Sequence, residues 1–279
     1  MALRIVTDSA ADLSPELAQR RNITVLPCYV IMGDISYRDG VDIAPGDFYD
    51  RLVSMEQPPT TAQPSAADFQ TVYSDILNQG HEILSIHLSG KLSGTVDSAK
   101  QARSALGNDT PIRVIDSALA SIPMGLAVLA AADAAQGTES LEDLEATVLR
   151  QLPLNNAFFL LDTLEFLEKG GRIGKAQAFL GSMLRIKPIL KLMDGEVYPV
   201  ERPRTHVKGM ARLLELSQQL GPAQRVAVIY STEEEGARYL RRHLVGLVPK
   251  NEIIMARFGP ALGTYVGPGA LGIAVTQRT

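Results

Sequence analysis

Short apolar runs alternate with amphipathic segments along the first half of the chain. Four of these runs have the composition of β-strands, at residues 3–7, 23–32, 83–88 and 112–115. Serines in helix-capping positions precede three of the helical segments, at Ser14, Ser65 and Ser140. Strand–helix alternation is typical of parallel sheets, so the first half is predicted to be α/β, with a mostly parallel sheet covered by helices.

The pattern changes after a stretch containing proline and asparagine at residues 152–156. Beyond it, two apolar runs flank an Asp-Gly pair at 194–195, which is a strong signal for the turn of a β-hairpin. Further strand and helix segments follow. We therefore predict an N-terminal α/β domain at 1–153 and a second α/β domain with a mixed sheet at 154–279. A C-terminal strand at 270–279 is a candidate to complete the first domain.

The longest apolar run, residues 118–132, is too short to span a bilayer, which needs about 20 apolar residues. A helix that is apolar on all sides is typical of a protein interior. The N-terminus has the pattern of a first strand and not of a secretion signal. The lone Cys28 cannot form an internal disulfide, which fits a reducing compartment. The sequence thus predicts a cytoplasmic protein without an integral membrane segment.

Composition argues against several classes of ligand. The formal net charge of −4 disfavours a general affinity for nucleic acid or for anionic membranes. Aromatic residues make up 5% of the chain and tryptophan is absent, which disfavours base stacking on single strands. The four histidines lack metal-ligand spacing. We therefore predict no nucleic-acid partner and no metal.

Small hydroxyl and acidic residues follow three of the predicted strands. They lie at 8–9, at 89–95, which includes Ser93, and at 116–117. In an open parallel sheet, ligands bind outside the carboxyl ends of the strands. Hydroxyl groups and helix N-termini gathered there can hold a small anionic group. The alternative interpretation is that these residues only cap helices.

Six segments in order give the chain a resemblance to the DegV family of bacterial fatty-acid-binding proteins, over essentially its whole length. They are residues 5–9 (IVTDS), 37–42 (YRDGVD), 59–65 (PTTAQPS), 88–95 (LSGKLSGT), 162–173 (DTLEFLEKGGRI) and 263–270 (GTYVGPGA). The resemblance implies two α/β domains with one long-chain fatty acid, such as palmitate, stearate or oleate, in a tunnel between them. It implies no other cofactor.

The resemblance also implies roles for particular residues. Thr61 and Ser93 would hold the fatty-acid carboxylate, and Gly94 would add a backbone N–H. Tyr265 replaces the histidine of the family's last segment and remains a candidate contact, because a phenol hydroxyl still donates a hydrogen bond. A separate fatty acid kinase would phosphorylate the bound acid. The chain itself would present the substrate without catalysing a reaction.

Two further sets of residues follow from this interpretation. Apolar side chains predicted to line the acyl tunnel are Leu119, Met124, Ile173, Phe179, Met183 and Leu184. Basic residues are more frequent in the second half, and Arg172 and Arg204 are the candidates for docking the kinase. The alternatives are ordinary core for the apolar set and a solvated face for the basic set.

Two other functions remain open from the sequence. One is a serine-dependent hydrolase or phosphotransferase that uses Ser93 as nucleophile and needs a nearby general base, for which His87 is the candidate. The other is a regulatory module that binds a small polar ligand. A long apolar cavity would favour the fatty-acid hypothesis over both.

Overall fold

The first half of the chain forms strands and helices in the predicted alternation. The computed structural model describes residues 2–107, 109–180, 186–249 and 252–278. The strands of the first half are β1 (Leu3–Asp8), β2 (Ile23–Leu26), β3 (Tyr29–Met32), β4 (Ile35–Arg38), β5 (Thr60–Ala62), β6 (Glu82–His87) and β7 (Ile112–Asp116). Its helices are α1 (Pro15–Arg20), α2 (Pro45–Leu52), α3 (Ala66–Asn78), α4 (Thr95–Leu106), α5 (Ile122–Ala134) and α6 (Leu141–Gln151).

The second half contains six described strands. They are β8 (Asn155–Leu160), β9 (Ile189–Met193), β10 (Glu196–Glu201), β11 (Ala223–Tyr230), β12 (Ile253–Arg257) and β13 (Leu271–Gln277). The helices are α7 (Glu165–Gly170), α8 (His206–Gln218), α9 (Glu234–His243) and α10 (Pro260–Val266). Short 3₁₀ helices lie at Ser9–Ala11, Leu152–Leu154 and Gly174–Phe179.

The predicted parallel sheet is confirmed. Its strand order is β2-β1-β6-β7, and all three pairings are parallel. The carboxyl ends of these strands therefore meet at one edge. Loops that leave this edge carry the hydroxyl and acidic residues noted in the sequence.

The second sheet is mixed, as predicted, with the order β10-β9-β8-β13-β11-β12. Only the pairing of β11 with β12 is parallel among the described strands of this sheet. The hairpin of β9 and β10 turns at Asp194 and Gly195, both with positive φ, as a two-residue turn of type I′ requires.

The C-terminal strand corrects one sequence interpretation. Residues 270–279 were a candidate to complete the first domain, but β13 lies in the second sheet between β8 and β11. Its apolar side chains are buried on both faces, with Ala274 in one core cluster and Ile273 and Val275 in another. A strand that is apolar on both faces needs cover on both sides, which the centre of the second sheet provides.

A small antiparallel sheet of order β4-β3-β5 was not predicted. The apolar run 23–32, interpreted as one strand, divides into β2 and β3 at Pro27 and Cys28. Proline cannot donate a hydrogen bond to a neighbouring strand, so the chain leaves the parallel sheet there. In the small antiparallel sheet, Thr61 of β5 lies opposite Val30 of β3.

Helix α5 connects the two halves. It contacts β1 of the parallel sheet and also β8, β11 and β13 of the mixed sheet. Most of its residues are buried, which explains why it is apolar on all sides. Over the part of the chain that the structure describes, none of the helices has the length and apolarity needed to cross a bilayer.

The strands of the parallel sheet all precede residue 153, and those of the mixed sheet all follow it. Helix α10 crosses this division, because it belongs to the second half and contacts α2, β3 and β5 of the first. The division into domains at 1–153 and 154–279 stays a prediction.

Replacing Met124 with alanine should destabilise the fold strongly. Met124 is fully buried in α5, so Met124→Ala should lower the free energy of unfolding by about 2–5 kcal/mol through lost burial and a cavity. Urea unfolding followed by circular dichroism measures this. Val207→Ala in α8, where the side chain is 73% exposed, is the control and should change stability by less than about 0.5 kcal/mol. Equal effects of the two substitutions would contradict the assignment of α5 to the core.

Candidate ligand-binding site

An apolar cavity lies between the two halves of the chain, at the carboxyl edge of the parallel sheet. It is lined by residues that follow each of the four parallel strands: Cys28 after β2, Ala10 after β1, Leu88 after β6 and Ala120 after β7. The space between its walls, including the part open to solvent, is about 950 Å³.

The opposite wall comes from the mixed sheet and from α10. Phe159 of β8, with Leu161 just beyond the strand, points to the cavity, and so do Leu190 and Leu192 of β9. Each pair is spaced by two residues, so both members face the same side of the sheet. Helix α10 adds Leu262 and Val266, among others. The cavity is therefore apolar along most of its length.

Hydroxyl groups lie together in this cavity. Thr61 of β5, Ser93 in the loop before α4 and Tyr265 of α10 all line it, and all three are half-buried. The Thr61 Oγ1 and Tyr265 Oη atoms are 2.5 Å apart and share a hydrogen bond. Ser93 Oγ is 2.9 Å from Thr95 Oγ1. The structure thus brings the three predicted head-group side chains to one cavity.

Gly94 has an indirect relation to the cavity. It is the N-cap residue of α4 but does not itself line the space. A Cβ atom at this position would lie 3.0 Å from Nε2 of Gln63, whose side chain does line the cavity. Its lack of a side chain leaves room for that amide.

Arg172 is part of the cavity lining, which was not predicted for this residue. Its guanidinium lies over the Tyr265 ring, 5.1 Å from the ring centre, and its Nη1 donates to the Gly170 carbonyl at 2.9 Å. A Cβ atom at Gly170 would lie 2.5 Å from Cδ1 of Tyr265. The end of α7 therefore holds the phenol ring closely. Arg204 is exposed.

Four of the predicted tunnel residues, Leu119, Met124, Ile173 and Phe179, do not line this cavity. Leu119 and Met124 belong to the main core cluster, and Ile173 and Phe179 pack against it as partly buried residues. Met183 and Leu184 lie outside the described residues. Helix α5 packs against α6 and against strands of both sheets, so its side chains are buried in these contacts. On that side the cavity wall is formed instead by small residues that follow β1 and β7, Ala10 and Ala120.

Sequence reasoning missed the lining residues of β8 and β9. The available signal was that apolar residues recur two positions apart, at 159 and 161 and at 190 and 192. This spacing shows that each pair lies on one face of a strand, but it does not show whether that face borders a cavity or the core.

His87 does not serve Ser93. Its Nδ1 is 2.8 Å from Asp8 Oδ2 and its Nε2 is 2.6 Å from Ser85 Oγ. Tyr73 donates to the same Ser85 oxygen at 2.7 Å. All four side chains of this network are fully buried. Both ring nitrogens are thus engaged within the core, which leaves the hydrolase hypothesis without its candidate base.

Burial shifts the pKa of three ionisable groups: Cys28 in the cavity wall, and Asp12 and Asp39 behind it. Desolvation raises the pKa of the Asp39 carboxyl to about 7 and raises the pKa of Asp12 well above its usual range. Burial likewise raises the pKa of the Cys28 thiol. Within residues 2–107, 109–180, 186–249 and 252–278, no three side chains of His, Cys, Asp or Glu come close enough to hold a metal ion.

Comparison with known proteins identifies the family. The model of the family described as "Uncharacterised protein, DegV family" matches residues 2–278. The chain belongs to the DegV family. A DegV domain-containing protein of Listeria innocua is 34% identical over 275 residues, which cover 97% of each chain.

Solved structures of DegV-family proteins share this fold. A fatty-acid-binding member from Thermus thermophilus superimposes with a TM-score of 0.92 at 35% identity, over 100% of both chains. A stearic-acid-binding protein from Eubacterium ventriosum superimposes with a TM-score of 0.90 at 26% identity, over 99% of this chain and 98% of the other. The predicted fold class and family are therefore confirmed.

The contact between Gly170 and Tyr265 can be tested by adding a methyl group. Gly170→Ala should lower the free energy of unfolding by about 1–3 kcal/mol, because the methyl group overlaps the phenol ring. Urea unfolding measures the change, and Gly137→Ala, with open space around it, is the control. In a chain that also carries Tyr265→Ser the cost should largely disappear, since the two changes share one contact. Additive effects would show that the ring does not approach Gly170.

Proposed function

We propose that this chain binds one long-chain fatty acid, such as palmitate, stearate or oleate, in the cavity between its halves. The observation that carries the proposal is an apolar cavity that has Thr61, Ser93 and Tyr265 among the hydroxyl-bearing residues of its lining. The Thermus thermophilus and Eubacterium ventriosum relatives, which bind fatty acid and stearic acid, support it. The mostly apolar lining disfavours a small polar ligand.

The acyl chain supplies most of the affinity in this proposal. Burying one methylene contributes about 0.8 kcal/mol, so about 14 methylenes contribute roughly 11 kcal/mol before the cost of ordering the chain and the protein. Phe159, Leu190 and Leu192 provide apolar surface for this burial. The head group needs only to recover the hydrogen bonds that it loses with water.

Neutral donors suit the head group. In the Thr61–Tyr265 pair one hydroxyl donates to the other, so one hydroxyl hydrogen is left for a carboxylate oxygen. Ser93 can donate a second hydrogen bond. Each such bond is worth about 0.5–1.5 kcal/mol net. Tyr265 carries no positive charge near neutral pH, in contrast to a protonated histidine, so this chain would hold the carboxylate without an ion pair at that position.

We further propose that the chain presents the carboxylate to a separate fatty acid kinase and does not itself catalyse the reaction. Arg172 supports this, because it is exposed and also lines the cavity beside Tyr265. A guanidinium there would favour the added negative charge of an acyl phosphate. The exposed Arg204 is the second candidate for contact with the kinase. The engagement of His87 in the core leaves Ser93 a binding residue in this proposal.

Binding can be measured directly with purified protein. An organic extract analysed by mass spectrometry should contain about one fatty acid per chain, and the delipidated protein should take up palmitate. Tyr265→Phe and Ser93→Ala should each weaken palmitate binding about 2- to 13-fold, the equivalent of one neutral hydrogen bond. The control is Thr71→Val, which removes an exposed hydroxyl on α3 and should leave the affinity unchanged. No fatty acid in the extract and no uptake of palmitate would refute the proposal.

The presenting role has a separate test. Purified protein loaded with palmitate is mixed with a bacterial fatty acid kinase and ATP, and acyl phosphate is trapped with hydroxylamine. Arg204→Ala should reduce product formation at least about tenfold while leaving the palmitate affinity unchanged, because a lost charged contact costs about 1.5–3 kcal/mol. Acyl phosphate formed without added kinase, or undiminished product with the variant, would contradict this role.

A further inference from the structure

The helix that carries Tyr265 is held at its N-terminus by two carboxylates from the other half of the chain. Helix α10 begins at Pro260 after Gly259, which has no side chain to cap it. Asp12 Oδ1 accepts a hydrogen bond from the Gly259 N–H at 2.8 Å, and Asp39 accepts one from the Ala261 N–H. The first half therefore satisfies the open N–H groups of a helix from the second half.

Both carboxylates are fixed by further hydrogen bonds. Ser121 Oγ donates to Asp12 Oδ2 at 2.7 Å, and Ser9 Oγ donates to Asp39 Oδ2 at 2.8 Å. A Cβ atom at Gly259 would lie 3.1 Å from Asp39 Oδ1 and 3.3 Å from Asp12 Oδ1. The two acids thus converge on one point of the backbone, and a side chain there would press on both carboxylates.

The Asp12–Ser121 bond joins two residues with unusual backbone conformations. Asp12 has φ 50°, and Ser121 has φ 63° with ψ −159°, a region that is nearly restricted to glycine. Such conformations persist only where the surroundings determine them. Ser121 also lines the ligand cavity. One end of the bond therefore lies at α10 and the other at the cavity wall.

Helix α10 is the element that this arrangement orients. Its residues Ala261, Leu262, Tyr265 and Val266 all line the cavity. The 2.5 Å contact between Tyr265 and Thr61 depends on how deeply α10 is seated against β5 of the first half. A displacement of the helix start by a fraction of an ångström would lengthen that contact.

We propose that Asp12 and Asp39 are positioning residues for ligand binding, which seat α10 so that Tyr265 meets Thr61 at the head group of the ligand. This inference rests on the fatty-acid-binding function proposed above. It goes beyond that function because neither acid lines the cavity, and both act through the backbone of α10.

The electrostatics favour a positioning role over a purely stabilising one. Asp12 and Asp39 are only 7% and 4% exposed, and burial together with their mutual repulsion raises the pKa of Asp12. Buried acids are costly to desolvate and contribute weakly to net stability. What they provide is a fixed direction, since each oxygen accepts from a defined donor. The partial positive charge at the start of α10 favours their ionised form.

A double-mutant cycle with Tyr265 separates positioning from general stability. Asp12→Ala and Asp39→Ala should each weaken palmitate binding about tenfold in the otherwise unchanged chain. In a chain that already carries Tyr265→Phe, the loss of affinity caused by each alanine substitution should be smaller by a factor of at least about three. Asp12→Asn keeps the oxygen that accepts from Gly259 and should bind within about threefold of the unchanged chain. Palmitate affinity is measured by isothermal titration calorimetry, and stability is measured in parallel by thermal unfolding.

The control is Asp143→Ala, which removes the exposed partner of the capping residue Ser140 on α6. It should lower the melting temperature and leave the palmitate affinity unchanged. If the alanine variants do not fold, Ser9→Ala takes their place in the cycle with the same expected coupling to Tyr265. It removes the donor to Asp39 and also the acceptor of the Cys28 N–H.

The inference would be overturned if the Asp12 and Asp39 variants bound palmitate with unchanged affinity. It would also be overturned if their losses of binding free energy were simply additive with the loss caused by Tyr265→Phe. Either result would leave the proposed fatty-acid binding intact. Absence of palmitate binding by the unchanged chain would refute the proposed function and this inference with it.

Discussion

The burial of α5 between two sheets is the constraint on which the rest of the structure depends. Helix α5 is apolar as far as Ala132, and strands of the parallel sheet, strands of the mixed sheet and α6 together cover it. This packing fixes the separation of the sheets. The cavity opens where the helix begins, because Ala120 and Ser121 at its start belong to the cavity wall.

The same constraint separates the tail and head of the proposed ligand. Strand faces of the mixed sheet supply apolar surface, whereas β5, α10 and the loop after β6 supply the hydroxyl groups of Thr61, Tyr265 and Ser93. Helix α10 links the two regions, since it belongs to the second half by sequence and packs against the first. Its seating by Asp12 and Asp39 would then decide whether Tyr265 reaches Thr61.

The sequence predicted the features that depend on local pattern. Alternating segments predicted the parallel sheet, the Asp-Gly pair predicted the hairpin of β9 and β10, and Thr61, Ser93 and Tyr265 do line one cavity. The remainder depends on tertiary packing. An apolar helix is the same in sequence whether it lines a cavity or fills a core, so the sequence alone did not show that Met124 packs in the main core cluster. The place of β13 depends on which sheet can cover both of its faces.

A crystal structure of the delipidated protein soaked with palmitate tests the central claim most directly. The account predicts an acyl chain between the two sheets, in contact with Phe159 and Leu190, with a carboxylate oxygen about 2.5–3.0 Å from the hydroxyl groups of Thr61 or Tyr265 and of Ser93. A fatty acid bound elsewhere on the molecule, or a cavity that stays free of ligand at saturating palmitate, would contradict it.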